Sequence, residues 1–553
     1  MAERGQRGDP PGKTTRTSQM HLNETGTLWT AWRPLRVPMF RNLLVADLAS
    51  DIGTFMQGVG AAWLMVSQGA GPLLVALTQT ASALPFFLLA LPAGALGDIF
   101  DRRKLIVTTE VWMLSVALAI AALTLLHWMT PWMLLLLTLA LSIGDALEAP
   151  TWRAVLPEVV PREDLLSAIA LNGIEFNLAR AIGPALGGFL IAVAGVATAF
   201  SLNALSFLGV LWVIVRWKRP ATRLRGAPRE TLSGATRAAV RYTRNTPDML
   251  TVLGRIAAIM FFASAFWALL PTVAHELRGS ATLYGLLLTV FGGGAVLGAV
   301  VLQRARSFFS ADVMLAIGTT VFAGTLWATA TFRSIAPLCV AIASGGAAWT
   351  AVMSLMSTVM QNVAPDWVRA RALAVFMLVY MGSWAAGSAF WGYVAAHRGT
   401  HFSFVAAAIG TLGSPLLILI SRLPDAPSDL GAWDHWRKPM VLGETGPDPD
   451  QGPVLVTVEY EIEAKDSDEF LGALEKFSRV RRRDGASRWG VYYDTELPTR
   501  YLETFIVESW AEHLRQHTRL TQADREVEER LHRFEAKPTT VRHFIYARSK
   551  GRS

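Results

Sequence analysis

The chain has 553 residues, 52% of them hydrophobic and 17% charged, with a formal net charge of +8 and a mean hydropathy of +0.34. An ordinary soluble domain carries about a quarter charged residues, so this balance excludes a wholly soluble enzyme and indicates a protein solvated largely by lipid. The lone cysteine, Cys339, excludes an intrachain disulfide.

Residues 1–38 are rich in Gly, Arg, Thr and Pro without periodicity, which predicts a disordered basic arm. Apolar segments follow at about 40–67, 73–97, 104–127, 131–151, 165–194, 197–217, 249–274, 281–303, 311–332, 335–362, 367–395 and 401–422. A helix rises 1.5 Å per residue and about 20 residues cross a bilayer, so these predict twelve transmembrane helices. The expected units are an N-terminal six-helix half over 39–217, a basic linker over 218–248, a C-terminal half over 249–422, a second linker over 423–452 and a water-exposed domain over 453–548.

Lys and Arg collect in alternate breaks between spans, among them Arg102, Arg103, Lys104, Arg153, Arg162, Arg241, Arg304 and Arg369. By the positive-inside rule these breaks, and with them both termini, are cytoplasmic, in a multi-pass inner-membrane protein. The positive charge then requires no nucleic-acid partner. A constant shift of 204 places Gly183 on Gly387, Gly188 on Gly392, Gly94 on Gly298 and Trp63 on Trp267 without gaps. Two parallel repeats with a cavity between them, opening alternately to each side, follow from that pattern. The same shift pairs Asp51 with Arg255, predicting a gate pair across the halves, with snorkelling of Arg255 to the interface as the alternative.

The turn GALGDIFDRRK over 94–104 places Gly94, Asp98, Arg102 and Arg103 between spans two and three. It resembles the loop signature of the major facilitator superfamily, in which Gly is followed four residues later by Asp and a basic cluster closes the turn. Ile99 and Asp101 stand where that pattern has Arg and Gly. The resemblance implies that Asp98 contacts the other half and helps close the cytoplasmic side. APTWRAVLPEVVPREDLLSAIALNG (149–173), NLARAIGPALGG (177–188) and APDWVRARALAVFMLVYMGSWAAGSAFWG (364–392) resemble the bacterial exporter group of enterobactin and macrolide efflux transporters. The run Gly183, Pro184, Gly187, Gly188 resembles the fifth-span signature of proton-coupled antiporters. Physically these residues remove side-chain bulk and break the helical ladder, allowing close packing and a bend.

Ionisable groups inside spans are costly and are candidates for function. Arg180, mid-span, is the sharpest: it can hold an anionic substrate or form a structural pair with Asp145 or Glu175. Asp145 and Glu148, three apart on span four, share a face and are proton-carrier candidates, and Glu175 is expected to point into the cavity or at span four. Asp47 reads as a solvated helix-end residue and Glu110 as part of the loop's charge network. Trp63, Trp267, Trp384 and Trp391 either line a cavity for a bulky solute or serve as membrane-belt and packing residues.

From 454 the pattern becomes strand, helix, strand, strand, helix, strand, the ferredoxin-like order of an α+β domain. It resembles the dimeric α+β-barrel domains of the antibiotic-biosynthesis-monooxygenase type, which implies a homodimer through this domain. His513 and His517, one turn apart, can hold a metal or haem iron, but with no accompanying ligand cluster they read as solvated surface residues. No cofactor or metal site is expected, and no GxxxxGK[ST] loop occurs, which excludes ATP as an energy source within this chain. Two functions remain at this stage. One is a secondary active, proton-coupled exporter of a siderophore, antibiotic or drug-like molecule; the other is such a transporter fused to an active monooxygenase or haem-binding domain. An importer or a receptor is a weaker third.

Overall fold

The computed structural model describes residues 32–217, 232–277, 279–305, 308–419, 421–424, 430, 447–448 and 450–547. Residues 1–31, the first part of the linker over 218–248 and most of the linker over 423–452 lie outside the described residues, as do the side chains of Gly94 and Asp98.

The first group of helices is α1 (Pro38–Ser67), α2 (Pro72–Ile99), α3 (Arg102–Leu125), α4 (Pro131–Val159), α5 (Leu165–Ala194) and α6 (Val196–Arg216). An amphipathic helix, α7 (Leu232–Arg244), leads to α8 (Pro247–Glu276), α9 (Ala281–Ala305), α10 (Ala311–Thr331), α11 (Ile335–Asn362), α12 (Asp366–Arg398) and α13 (Thr400–Gly413). Their starts carry local signals. Pro occupies the first turn of α1, α4 and α8, where its missing N–H costs nothing. Side chains of Asp101, Thr130 and Ser310 accept from the exposed N–H groups of Lys104, Met133 and Val313. Gly195 and Gly399, separated by the same 204-residue shift, end α5 and α12 at φ +85° and +86°, a backbone conformation other residues resist.

Among the described residues, ten helices are long and apolar enough to cross a membrane. α1 and the 14-residue α13 stand outside that set. Large apolar side chains such as Leu166, Val193, Val340 and Ile409 point outward, the inverse of a soluble bundle and the arrangement a hydrocarbon solvent favours.

Two pairs of helices join the six-helix groups, α2 with α12 and α5 with α9. The junctions run through small residues. A Cβ on Gly392 would lie 2.4 Å from Ala76 Cβ, and one on Gly188 would lie 2.7 Å from the Ala281 carbonyl. Both contacts sit where α5 and α12 end and α2 and α9 begin, so the bundle is sealed at that end. Gly382 against the Phe87 ring and Gly292 against Ala181 continue the contact toward mid-bundle. Beyond them a cleft of about 500 Å³ separates α5 from α9 and α11.

The C-terminal part folds as β1 (Val454–Glu461), α14 (Ser467–Asp484), β2 (Ser487–Tyr493), β3 (Arg500–Val507), α15 (Trp510–Arg519), α16 (Gln522–His532) and β4 (Thr540–Ile545). The strands form one antiparallel sheet in the order β2-β3-β1-β4. Val454, Val456, Val458 and Tyr460 alternate inward from β1 onto Phe470, Leu474 and Phe477 of α14. This part docks on α7 and on the first turn of α12. Arg241 of α7 donates to Glu512 at 2.8 Å, Arg483 lies over Tyr242, and Arg519 lies over Trp367.

Candidate functional site

Within the first six helices lies a cavity of about 370 Å³ whose lining includes Asp47 and Asp51 of α1, Glu110 of α3, and Asp145 and Glu148 of α4. Spacing explains the convergence: Asp47 and Asp51 are four apart and Asp145 and Glu148 three apart, so each pair occupies one helix face. Thr109 donates to Glu148, and Glu110 lines the same cavity as Glu148. Gln57, Thr78, Gln79, Thr138 and Ser142 complete a polar lining. Glu175 of α5 is buried outside this lining, and neither of its carboxyl oxygens has a hydrogen-bond partner.

Two residues expected on the surface therefore lie inside. Asp47 lines the cavity, and Glu110, 3% exposed, faces it beside Glu148 rather than the turn at 101–104. The i,i+4 spacing of Asp47 and Asp51 was the available signal.

Arg180 opens into the separate cleft between α5 and α9, beside Phe291 of α9 and Trp349 of α11. Its guanidinium stands 4.8 Å from the Phe176 ring and forms no ion pair among the described residues. Asp51 and Tyr380 are within its electrostatic reach, which makes Asp51 the link between the acidic cavity and the cleft. The expected alternative pairing of Arg180 with Asp145 or Glu175 is not made.

The expected Asp51–Arg255 gate is not formed either. Arg255 is buried, donates to Asp312 of α10 and to the Ser421 carbonyl, and Asp312 in turn accepts from the Leu423 N–H at 3.2 Å. A nearby acid within its own six-helix group satisfies Arg255, so it neither snorkels nor reaches across. Arg102 donates to Ala154 O and Glu158, and Arg103 to Ile214 O, tying α3 to α4 and α6 within one group. Gly183 and Gly187 receive Phe55 and Met56 of α1 at distances no larger residue allows, while Gly188 meets α9.

The second six-helix group is aromatic where the first is acidic. Trp267 lies 4.5 Å from both Trp349 and Trp384, and Tyr380 lies 5.9 Å from Trp384. Trp391 is a packing residue, its indole donating to Phe261 O, and Trp63 packs edge-on against His275.

His513 and His517 are buried, a correction to their expected solvent exposure, because α15 packs that face onto β4. Their Nε2 atoms lie 3.2 Å apart, beside Trp510 and His543. Burial, reinforced by neighbouring imidazoles, pulls His513 down to about 3 and His517 to about 4. No group of three or more metal-ligating side chains occurs among the described residues.

Membrane-length helices enclosing a polar cavity and a cleft sealed at one end fit a multi-pass membrane transporter. The chain belongs to the transmembrane secretion effector family of the major facilitator superfamily, whose model matches residues 29–550, through the last helix and across the sheet. Relatives include the uncharacterised MFS-type transporter YfiS of Bacillus subtilis, 26% identical over half of this chain and 69% of that protein. The staphyloferrin A transporter of Staphylococcus aureus is 21% identical over 59% of this chain and 82% of its own. The enterobactin exporter EntS of Salmonella choleraesuis is 26% identical over 69% of this chain and 92% of its own. Among solved structures, the nucleoside transporter NupG shares the fold at TM-score 0.59 and 9% identity, covering 69% of this chain and 99% of that one. An inward-facing bacterial homologue of the human lysosomal transporter Spinster does so at TM-score 0.53 and 14% identity, covering 70% and 95%.

Proposed function

We propose that the protein is a secondary active exporter that moves a siderophore, antibiotic or drug-like molecule out of the cytoplasm in exchange for protons. The supporting observation is the group of five carboxylates around the cavity, joined through Asp51 to Arg180 in the substrate-sized cleft. Clustered carboxylates away from water require protons or cations to neutralise them. A proton arriving at Asp51 removes the charge facing Arg180, and a proton leaving restores it, which couples occupancy of the cleft to the proton gradient. Asp145, Glu148 and Glu175 extend the proton path. The glycine seams at Gly188 and Gly392 act as the outer seal, and Gly183, Pro184 and Gly187 let α5 pivot on α1. The relatives that export enterobactin or carry staphyloferrin A favour a small, polar cargo.

In this proposal α1 and α13 also cross, giving twelve spans in halves 39–217 and 249–422 with both termini cytoplasmic. The open cleft then faces the cytoplasm, with Gly94, Asp98, Arg102 and Arg103 at its rim. The ferredoxin-like domain over 453–548 belongs to the transporter, in keeping with a family match that continues to residue 550. Its uncovered sheet face carries Leu455 in register with Ile506 and Phe544, beside Leu502 and Tyr492. A second copy of the same face is its proposed partner in a homodimer.

Efflux from cells loaded with a catecholate siderophore, a macrolide or a cationic dye, with and without a protonophore, tests the exporter. Export that collapses with the protonophore and in Asp51→Asn is expected. Export indifferent to both would reject proton coupling.

A further inference from the structure

We infer that the cleft beside Arg180 is built for a planar aromatic anion, an inference that rests on the transporter reading above and names its cargo class. An arginine inside a membrane bundle carries a large desolvation cost and is ordinarily neutralised by an acid or by carbonyls. Arg255, buried nearer the end of α8, follows that rule with Asp312 and Ser421. Arg180 does not: it is exposed to the cleft, and its close contact is the Phe176 ring. An unsatisfied guanidinium at the wall of a 500 Å³ cleft, a volume suited to a drug-sized solute, is completed by a carboxylate or phenolate of the cargo.

The opposite wall selects the rest of the molecule. Phe291 and Trp349 line the same cleft, among the aliphatic side chains of Ile174, Leu178 and Val296. Behind them Trp267 and Trp384 pack against Trp349 and hold its ring in place. Ring faces bind flat π-systems by offset or edge stacking, and aliphatic solutes gain only area from them. A flat ring carrying one acidic group meets the guanidinium on α5 and the Phe291 and Trp349 rings across from it at once. The acidic cavity does not compete for this anion: its carboxylates open into a separate space in the first six helices.

The test measures binding rather than export. Radiolabelled 2-naphthoate is equilibrated by dialysis with the full-length protein in lipid nanodiscs, in competition with 2-naphthylmethanol (ring without charge), cyclohexanecarboxylate (charge without ring) and the cation 2-naphthylmethylammonium. Naphthoate is expected to bind saturably, with the three competitors at least about tenfold weaker. Arg180→Ala should weaken naphthoate by roughly ten- to a hundredfold, Arg180→Lys by less, and Trp349→Leu should erase the preference over cyclohexanecarboxylate, all three variants eluting as monodisperse protein. Equal binding of the four probes, naphthoate binding unchanged in Arg180→Ala, or no binding of naphthoate to the wild-type protein would overturn the inference. Because binding is read without a gradient, naphthoate binding in a protein that exports nothing would reject the exporter and leave the site standing. Export of other compounds with no naphthoate binding would reject the site alone.

Discussion

Gly188 and Gly285 face each other so closely that a Cβ on the first would stand 3.0 Å from the second's Cα, and one on the second 2.9 Å from the first's. Backbone therefore meets backbone where α5 crosses α9, and the seal at that end of the bundle depends on two missing side chains.

Gly188→Val should pry this seam open. Overpacking costs about 1–3 kcal/mol, enough to favour the arrangement in which the ends of α5 and α9 separate. Spin labels at Ala192 and Leu277, in a Cys339→Ser background, are expected to report longer distances and transport to fall at least about tenfold. Gly324→Ala on α10, with nothing within 4 Å of its built Cβ, serves as the silent control.

Glu110 and Glu148, side by side on the cavity wall, set a second expectation. Glu148→Gln keeps the size and a donor but removes an exchangeable acid, so uphill, protonophore-sensitive transport should drop by about tenfold or more while downhill exchange persists. Equal loss of both activities would assign Glu148 a purely structural role.

The dock between the sheet domain and α7 turns on Glu512. Against a burial cost that favours the neutral acid, hydrogen bonds from Arg519 and Arg241 hold its carboxyl down to about 2. A depressed carboxyl contributes stability above its ordinary value of 4.5, and that stability fades as pH falls from there toward 2. Hydrogen exchange in α15 should therefore accelerate in acid. Arg241→Ala should give part of the same increase at neutral pH, with a coupling of about 1–2 kcal/mol to Glu512→Gln in a double-mutant cycle.

His513 and His517 predict a further acid sensitivity with a higher onset. Their folded values lie below the ordinary 6.5, so the unfolded chain binds more protons, and stability declines as pH drops through 6.5 toward 4. His513→Phe should flatten the loss between pH 7 and 5, read as limited proteolysis of the full chain after β4. An unchanged pH profile would place the acid sensitivity elsewhere.

Breaking the buried Arg255–Asp312 pair by Asp312→Ala strands a cation and should cost about 3–5 kcal/mol, whereas Arg255→Met with Asp312→Leu should recover much of it. Thermal unfolding in detergent distinguishes the two.

The positions of the long helices, the 204-residue repeat that recurs at Gly195 and Gly399, and the order of elements after residue 454 were legible in the chain, except that the one helix expected over 511–533 is two, α15 and α16. Each is a local property: apolar run length, residue period and turn chemistry act over neighbouring residues, and a repeat copies them at a fixed distance. Partner choice was not legible. Position 51 aligned with position 255 as acid with base, yet Arg255 is neutralised by Asp312 on a neighbouring helix, because a buried charge takes the nearest acid its own packing supplies. Asp47 and Glu110 looked peripheral by depth along their helices and joined the cavity because α1, α3 and α4 turn those faces toward one another. His513 and His517 looked solvated by composition and were buried by a strand some 25 residues later. By itself the sequence determined where the long apolar helices and the strands of the C-terminal sheet lie. Which charges meet was decided only by helix rotation and packing, which no local pattern encodes.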